Sequence, residues 1–343
     1  MSSPDGVARS LRKKVRVSGR VAVTVSINRE RTALWGEDWK KSVLLYNTWF
    51  MQAAPEAYRD AREKVVADVE RLFRTTDYMR SLTPDVIKRD PGIVSTLRQA
   101  TAPPIARDRL MGLAGSKKSL INTLEEDNRL PPRMKPDELD SHLMSICGVV
   151  DKMLDRTLFA WLATGTEPTQ QQIEIAEVVV GDRRTNVLSD PVIRNVQEAR
   201  QVKVMTEWLE NQGYVRRQVP SGTDIHDMDL GTYAIHQNVP VFNDKGERTN
   251  MPIDVVIQPR TPLDSGMPLL IEAKSAGDET NTNKRRKEEA QKVHQLRAFY
   301  GDKVDLVLFL TGYFSPGYLG YEASERIDWV WEHRVEDLAL AGV

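Results

Sequence analysis

The spacing of apolar residues changes at Gly213, and this change limits the possible folds more than any other feature of the sequence. Between about residues 31 and 165, apolar residues recur three and four positions apart, which is typical of amphipathic helices. After Gly213, short apolar runs alternate with turn residues, which is typical of β-strands. The sequence therefore predicts an α/β fold in which a mixed central sheet is flanked by helices and preceded by an all-helical N-terminal region.

The second half of the chain is predicted to alternate between helices and strands. A helix from Pro191 to Gly213, with Asp190 as its N-cap, comes before the sheet. A charged amphipathic helix, Asn283–Tyr300, comes before the last two strands. The sheet is then expected to contain six strands: Tyr214–Val219, Thr232–Phe242, Ile253–Gln258, Leu269–Ala273, Asp305–Leu310 and Ile327–Glu332.

In the first half, prolines are expected to separate one helix from the next, beginning with Pro55. The segment His142–Trp161 carries an apolar stripe and is predicted as one of these helices. Thr164–Pro168 is expected to be a linker. These positions predict a helical region that ends shortly before residue 166.

The bulk properties exclude several classes of protein. No apolar run approaches the roughly 18 residues needed to cross a bilayer, and the N-terminus has no signal-peptide pattern. Cys147 is the one cysteine of the sequence, so an intrachain disulfide and a multi-cysteine zinc site are both excluded. We expect a cytoplasmic protein. The net charge of −1 argues mildly against nucleic-acid binding, although a DNA-binding cleft needs positive charge only locally.

Two of the predicted strands carry acidic residues in otherwise apolar runs. Asp254 lies in the run 253–258, and Glu272 and Lys274 lie at the end of the run 269–274. Burying an acid in such a strand is costly unless it has a partner such as a metal ion. Glu272 and Lys274 are two residues apart, so they project from the same face of a strand. Because only a turn-rich loop separates the two runs, we expect Asp254 on the neighbouring strand.

Two carboxylates and a lysine in this arrangement fit the hydrolysis of a phosphodiester bond. Asp254 and Glu272 are expected to hold Mg²⁺, with the carbonyl of Ala273 as a further oxygen ligand. The ion would polarise the phosphate and lower the pKa of a bound water. Lys274 would orient or deprotonate that water, or stabilise the charge of the transferring phosphate. As an alternative, such a triplet arises by chance, with Glu272 and Lys274 forming a simple ion pair at a strand end.

A further acid is expected from the helix that precedes the sheet. Glu198 and Glu207 both lie on it, and Glu198 is preferred as a catalytic group because it stands in the polar cluster Gln197–Gln201. The alternative is that both are surface acids.

Four consecutive cations begin the helix after the catalytic strands, where they oppose the helix dipole. A DNA phosphate would relieve this repulsion, so Asn283, Lys284 and Lys287 are candidates for contacts to the DNA backbone. A solvated face paired with Glu288 and Glu289 is the alternative.

Together, these residues resemble the PD-(D/E)XK nuclease superfamily, with Pro252 and Asp254 at its proline–acid start and Glu272, Ala273 and Lys274 as its E-x-K. Ile253 between proline and acid departs from the strict motif. More narrowly, the chain resembles the XamI family of type II restriction endonucleases over most of residues 35–335. The segments that carry this narrower resemblance are 103–110, 195–201, 271–274 and 283–287.

The resemblance implies Mg²⁺-dependent double-strand cleavage of DNA, performed by a homodimer acting on a palindrome, with GTCGAC as the family's associated sequence. A cognate DNA methyltransferase is then the expected genetic partner. Arg107 and Arg109 could face the DNA, since arginine pairs bidentately with guanine in the major groove. A salt-bridged corner after Pro103 and Pro104 is the alternative for them.

The implied division of the chain has three parts. Residues 1–30 form a basic N-terminal tail, residues 31–165 a helical DNA-recognition region, and residues 166–343 the nuclease domain. Two other functions stay open at this point: a structure-specific repair or recombination nuclease, and a non-catalytic DNA-binding protein with a degenerate site.

Overall fold

The computed structural model describes residues 26–220, 225–243, 245–263, 266–280, 282–302 and 304–343. The chain forms two compact units. The helical unit is Asn47–Ala199, and the sheet unit joins the residues up to Tyr46 with Arg200–Val343. Most of the predicted basic tail, residues 1–25, lies outside the described residues. The predicted boundaries at 30 and 165 divide the chain by function, and they stay a prediction.

Ten α-helices are described. None of them combines the length and the apolar composition that a membrane-spanning helix needs. In chain order they are α1 (Trp35–Thr75), α2 (Pro84–Arg89), α3 (Val94–Leu97), α4 (Arg107–Ala114), α5 (Lys118–Glu125), α6 (Pro136–Met153), α7 (Trp161–Thr164), α8 (Gln170–Asn211), α9 (Thr282–Tyr300) and α10 (Pro316–Ser324).

The helical unit has one hydrophobic core, which forms because each of its helices is apolar on one side. Phe73, Phe159 and Trp161 are fully buried in it and pack edge to face. The ring centroids of Phe73 and Phe159 are 6.0 Å apart, and those of Phe159 and Trp161 are 5.4 Å apart. The described part of this unit contains helices and no strand, as the spacing of its apolar residues predicts.

The sheet unit is built on a mixed sheet of six strands in the order in which they occur along the chain. The β1–β2 pair is parallel, β2–β3 and β3–β4 are antiparallel, and β4–β5 and β5–β6 are parallel. The strands are β1 (Val215–Arg216), β2 (Thr232–Phe242), β3 (Arg248–Gln258), β4 (Leu269–Ala276), β5 (Leu306–Gly312) and β6 (Asp328–Trp331). The predicted fold class is confirmed.

Each face of the sheet has its own hydrophobic core. On one face, Leu270 and Leu308 pack with Val293 and Leu296 of α9. On the other face, side chains such as Ile271 pack with the last turns of α8 and with the C-terminal 3-10 segment Glu332–Ala341. Alternate strand residues therefore point to opposite helical layers, as the two-residue period of a β-strand requires.

Two predictions about helices are wrong. The helix before the sheet begins at Gln170, not at Pro191, and Asp190 lies inside it instead of capping it. Pro55 likewise lies inside α1 instead of ending a helix. A proline removes one backbone donor but leaves the rest of the ladder in place, so a helix held along its length by packing continues through it.

Other boundaries also shift. The helix predicted as His142–Trp161 is α6, which begins at Pro136 and ends at Met153. Gly213 terminates α8 as predicted: its φ is +82°, and the N–H of Tyr214 donates to the carbonyl of Leu209 at 2.9 Å.

Candidate active site

Asp254 and Glu272 lie where β3 and β4 separate. The antiparallel register pairs Val255 with Ile271, and the two acids are the next residues on their strands. In the place of a further ladder bond, the N–H of Ala273 donates to Oδ2 of Asp254 at 2.7 Å. The expectation that the two acids stand on neighbouring strands is confirmed, and this hydrogen bond fixes the carboxylate of Asp254 beside the E-x-K segment.

Glu272 is buried, with about 5% of its surface exposed, and its two oxygens differ. Oε1 accepts from Nζ of Lys274 at 2.7 Å and from Nζ of Lys292, on α9, at 2.5 Å. Oε2 is buried and has no hydrogen-bond partner among the described residues. A buried carboxylate oxygen without a partner is costly, and it is the kind of atom that a hard divalent cation binds.

Lys274 is held in its charged form by its neighbours. Burial by itself lowers the pKa of this lysine, but the nearby carboxylates of Glu272, Glu289 and Asp254 outweigh it, and the net pKa is raised. A lysine with a raised pKa stays protonated at neutral pH. It is suited to stabilise negative charge on a phosphate or to orient a water, and it is poorly suited to remove a proton.

Asp254 lies close to a residue that sequence reasoning missed, His236. A ligand atom of each side chain lies within 4.8 Å of the other. His236 is in β2 at the position opposite Asp254 in the register, and its φ of +50° interrupts the regular strand. The histidines are scattered along the sequence with no pair at ligand spacing, so no local pattern could have identified His236.

Glu198 lies on α8 in the helical unit, two residues before the sheet unit resumes, and its role as a catalytic acid stays a prediction. In the sheet unit, Gln201 of the same helix is buried. Its Nε2 donates to the carbonyls of Lys274 at 3.2 Å and of Phe309 at 3.0 Å. Glu207, the other acid considered on this helix, is largely exposed and forms an ion pair with Lys203 at 3.6 Å.

Two side chains of the basic run at the start of α9 make contacts within the sheet unit. Arg285 donates to the carbonyl of Ser275, and the guanidinium of Arg286 lies over the ring of Tyr321 at 4.6 Å. Lys287 is exposed. The side chains of the other two candidates for DNA contacts, Asn283 and Lys284, lie outside the described residues.

Arg107 and Arg109 begin α4 in the helical unit. Arg107 donates to Oδ1 of Asn122 at 3.2 Å and pairs with Glu126, and its Nε lies 3.6 Å from Glu125. Arg109 is exposed. This geometry agrees with the salt-bridged corner for Arg107, and Arg109 has the accessibility that a DNA contact needs.

Beyond the lysines, α9 and α10 bury a cluster of acids beside the site. Glu289 and Glu322 are almost fully buried, and the hydroxyl of Tyr318 donates to Oε2 of Glu289. Burial, and then the repulsion of Glu289, raise the pKa of Glu322 to about 9, although Tyr318 and Arg286 act in the opposite direction. Glu322 therefore carries a proton at neutral pH.

This buried acid makes stability depend on pH. The unfolded chain releases the proton of Glu322 near pH 4.5 and the folded chain only near pH 9, so the free energy of unfolding falls as pH rises between these values. Glu322→Gln cannot ionise, so we expect it to unfold at a higher temperature than the wild type at pH 8 and at the same temperature at pH 4.5. The exposed Glu336→Gln is the control. An equal shift at both pH values would contradict the protonated state of Glu322.

Comparison with known proteins identifies the family of this chain. The family model described as XamI restriction endonuclease matches residues 77–331 of this chain. The Type II restriction enzyme SalI of Streptomyces albus G is 50% identical over 316 residues, which cover 92% of this chain and 99% of that enzyme. No solved structure matches the chain. The family match contains all three residues of the site that the sequence pointed to: Asp254, Glu272 and Lys274.

Proposed function

This chain belongs to the XamI restriction endonuclease family, and from that membership we propose that it cleaves double-stranded DNA with Mg²⁺ at a site formed by Asp254, Glu272 and Lys274. The family and the close similarity to a type II restriction enzyme make it a site-specific deoxyribonuclease. What we propose beyond the family is the use of Mg²⁺ and the catalytic role of these three residues. The observation that carries it is the bond from the Ala273 N–H to Asp254, which brings the first acid to the E-x-K segment.

The residues present fit a divalent cation. Asp254, Glu272 and the carbonyl of Ala273 would hold it, and Oε2 of Glu272 has no hydrogen-bond partner among the described residues. Glu198 is proposed as a further catalytic acid. A bound cation would supply a Lewis acid and an acidified water. Lys274 remains protonated beside Glu272 and stabilises the negative charge that develops on the phosphate.

His236 bears on the choice of cation. Mg²⁺ prefers oxygen ligands, whereas transition-metal ions, Mn²⁺ among them, accept an imidazole nitrogen more readily than Mg²⁺ does. If His236 takes part in binding, Mn²⁺ will support cleavage at lower concentration than Mg²⁺. If His236 does not bind the cation, the carboxylates favour Mg²⁺ as the ion that the enzyme uses in the cell.

The partners follow from the family. We propose that the enzyme acts as a homodimer on a palindromic sequence in the cytoplasm, and that a DNA methyltransferase with the same specificity is encoded with it. GTCGAC is the first sequence to test. Arg109 and Lys287 are exposed and are proposed as DNA contacts, together with Arg107, Asn283 and Lys284.

We expect purified protein with Mg²⁺ to cut a sequenced plasmid into discrete bands whose mapped ends share one sequence. Chelation of the metal with EDTA should stop the reaction, and re-addition of Mg²⁺ or Mn²⁺ should restore it. Cutting that depends on flaps, ends or junctions would contradict site-specific cleavage and indicate a repair nuclease. The absence of cutting with any divalent cation would refute the proposed chemistry.

A further inference from the structure

We propose that Lys292 is a second active-site lysine, which neutralises Glu272 in the metal-free enzyme and contacts the scissile phosphate once a divalent cation binds that carboxylate. The proposal rests on the proposed function, because both use Glu272. It goes beyond that function in assigning a residue outside the E-x-K motif and an exchange of partners at one carboxylate.

The contact between two lysines and one oxygen is the starting observation. Nζ of Lys292 lies 2.5 Å and Nζ of Lys274 lies 2.7 Å from the same atom, Oε1 of Glu272. Lys274 reaches it from two residues away on β4, and Lys292 reaches it from the third turn of α9. The two ammonium groups therefore carry one more unit of charge than the single carboxylate that they share, in a place where phosphate chemistry is proposed.

The burial of these groups makes the excess charge significant. The side chains of Lys274 and Lys292 are 22% and 25% exposed, and that of Glu272 is 6% exposed. Charges that are partly shielded from water are screened less than exposed ones, so each cation needs an anionic partner close by. The single negative charge of Glu272 cannot balance two ammonium groups at Oε1 and a divalent cation at Oε2 together.

The two lysines differ in the anionic neighbours that they keep when a divalent cation binds Glu272. Lys274 also lies in the negative field of Glu289 and Asp254, so it keeps anionic neighbours when Glu272 is engaged elsewhere. For Lys292 the ion pair in the described structure is the one with Glu272. The group that enters the site with the substrate is a phosphate, and a released ammonium beside it would bind that anion.

A purely structural ion pair is the competing explanation, and the two explanations differ in what they predict for metal binding. If Lys292 competes with the cation, its removal strengthens metal binding while it weakens catalysis. If Lys292 only holds the site in shape, its removal weakens both.

The experiment measures Mn²⁺ binding to the DNA-free enzyme by calorimetry and, separately, the single-turnover rate of cleavage with saturating Mg²⁺. For Lys292→Met we expect Mn²⁺ binding that is about fivefold tighter or more, because one nearby positive charge is lost. We expect the cleavage rate to fall about a hundredfold. Lys292→Arg keeps the charge, and it should retain metal affinity and most of the rate.

Lys203→Met is the control, because it removes an equally charged but exposed lysine from a helix of the same unit. It should change neither quantity. Lys292→Gln provides a second variant if the methionine protein does not fold. Unchanged or weaker Mn²⁺ binding in the neutral variants, or an unchanged cleavage rate, would overturn the inference while wild-type cleavage still upheld the proposed function. A wild-type protein that neither binds Mn²⁺ nor cuts DNA would refute both.

Discussion

Glu272→Gln is expected to reduce DNA cleavage by about a thousandfold or more while the protein still folds and binds DNA. The substitution removes the charge of a buried carboxylate. Its Oε2 has no hydrogen-bond partner in the part of the chain that the structure describes, and its Oε1 accepts from two lysines. Metal affinity falls with it, because a neutral amide is a weak ligand for a hard cation. DNA binding should be unchanged or stronger, since negative charge near the phosphates is lost.

Asp254→Asn is expected to have an effect of similar size. The amide oxygen of asparagine can still accept from the N–H of Ala273, so the junction of β3 and β4 remains intact. A large loss of rate would then report on metal binding and not on misfolding. Lys274→Met should lower the rate through the loss of positive charge at the phosphate, and it should leave Mn²⁺ binding intact or strengthen it.

The cleavage rates of these variants are compared by single-turnover kinetics. Their DNA binding is compared by gel shift without a divalent cation that supports cleavage, and their stability by thermal melting. Glu336→Ala, which removes an exposed acid from the C-terminal segment, serves as the control for the acidic residues and should leave the rate unchanged. Full activity in any one of the three active-site variants would refute the role of that residue. Glu198→Gln and His236→Ala then test whether either residue contributes to metal binding.

Gly312→Ala is expected to destabilise the protein by about 3 kcal/mol or more. Gly312 ends β5 with a φ of +100°, which side chains rarely adopt, and a Cβ there would lie 2.1 Å from the carbonyl oxygen of Ala276. That oxygen is backbone of β4, the strand that carries Glu272 and Lys274, so it cannot move without disturbing the site. The N–H of Gly312 also donates to Oγ of Ser42 at 2.8 Å.

Urea unfolding provides the measurement for this glycine. The matched control is Gly36→Ala in α1, where a new Cβ meets nothing within 4 Å and the backbone is helical. Alanine is the better helix former, so this control should be stabilised by about 0.5–1 kcal/mol. If Gly312→Ala unfolds at the same urea concentration as the wild type, the close approach of β4 and β5 does not exclude a side chain at this position.

The predictions that succeeded from sequence are those that depend on local patterns. Short apolar runs bounded by turn residues, at 232–242 and 269–273, predicted strands, and both segments are strands that are largely buried. The two-residue period of a strand placed Glu272 and Lys274 on one face, and they do share a hydrogen bond. The predicted helix start at Pro191 failed because a single local signal was overridden by packing along α8.

The sequence by itself determined the fold class, the two acid-bearing strands and the E-x-K lysine, since each depends on residues that are close along the chain. Only the tertiary structure decided which distant groups join them. Lys292 reaches Glu272 from another element, 20 residues further along the chain, and His236 stands across the strand pair from Asp254. No periodicity connects such positions, because the register of the strands and the packing of a helix on the sheet bring them together.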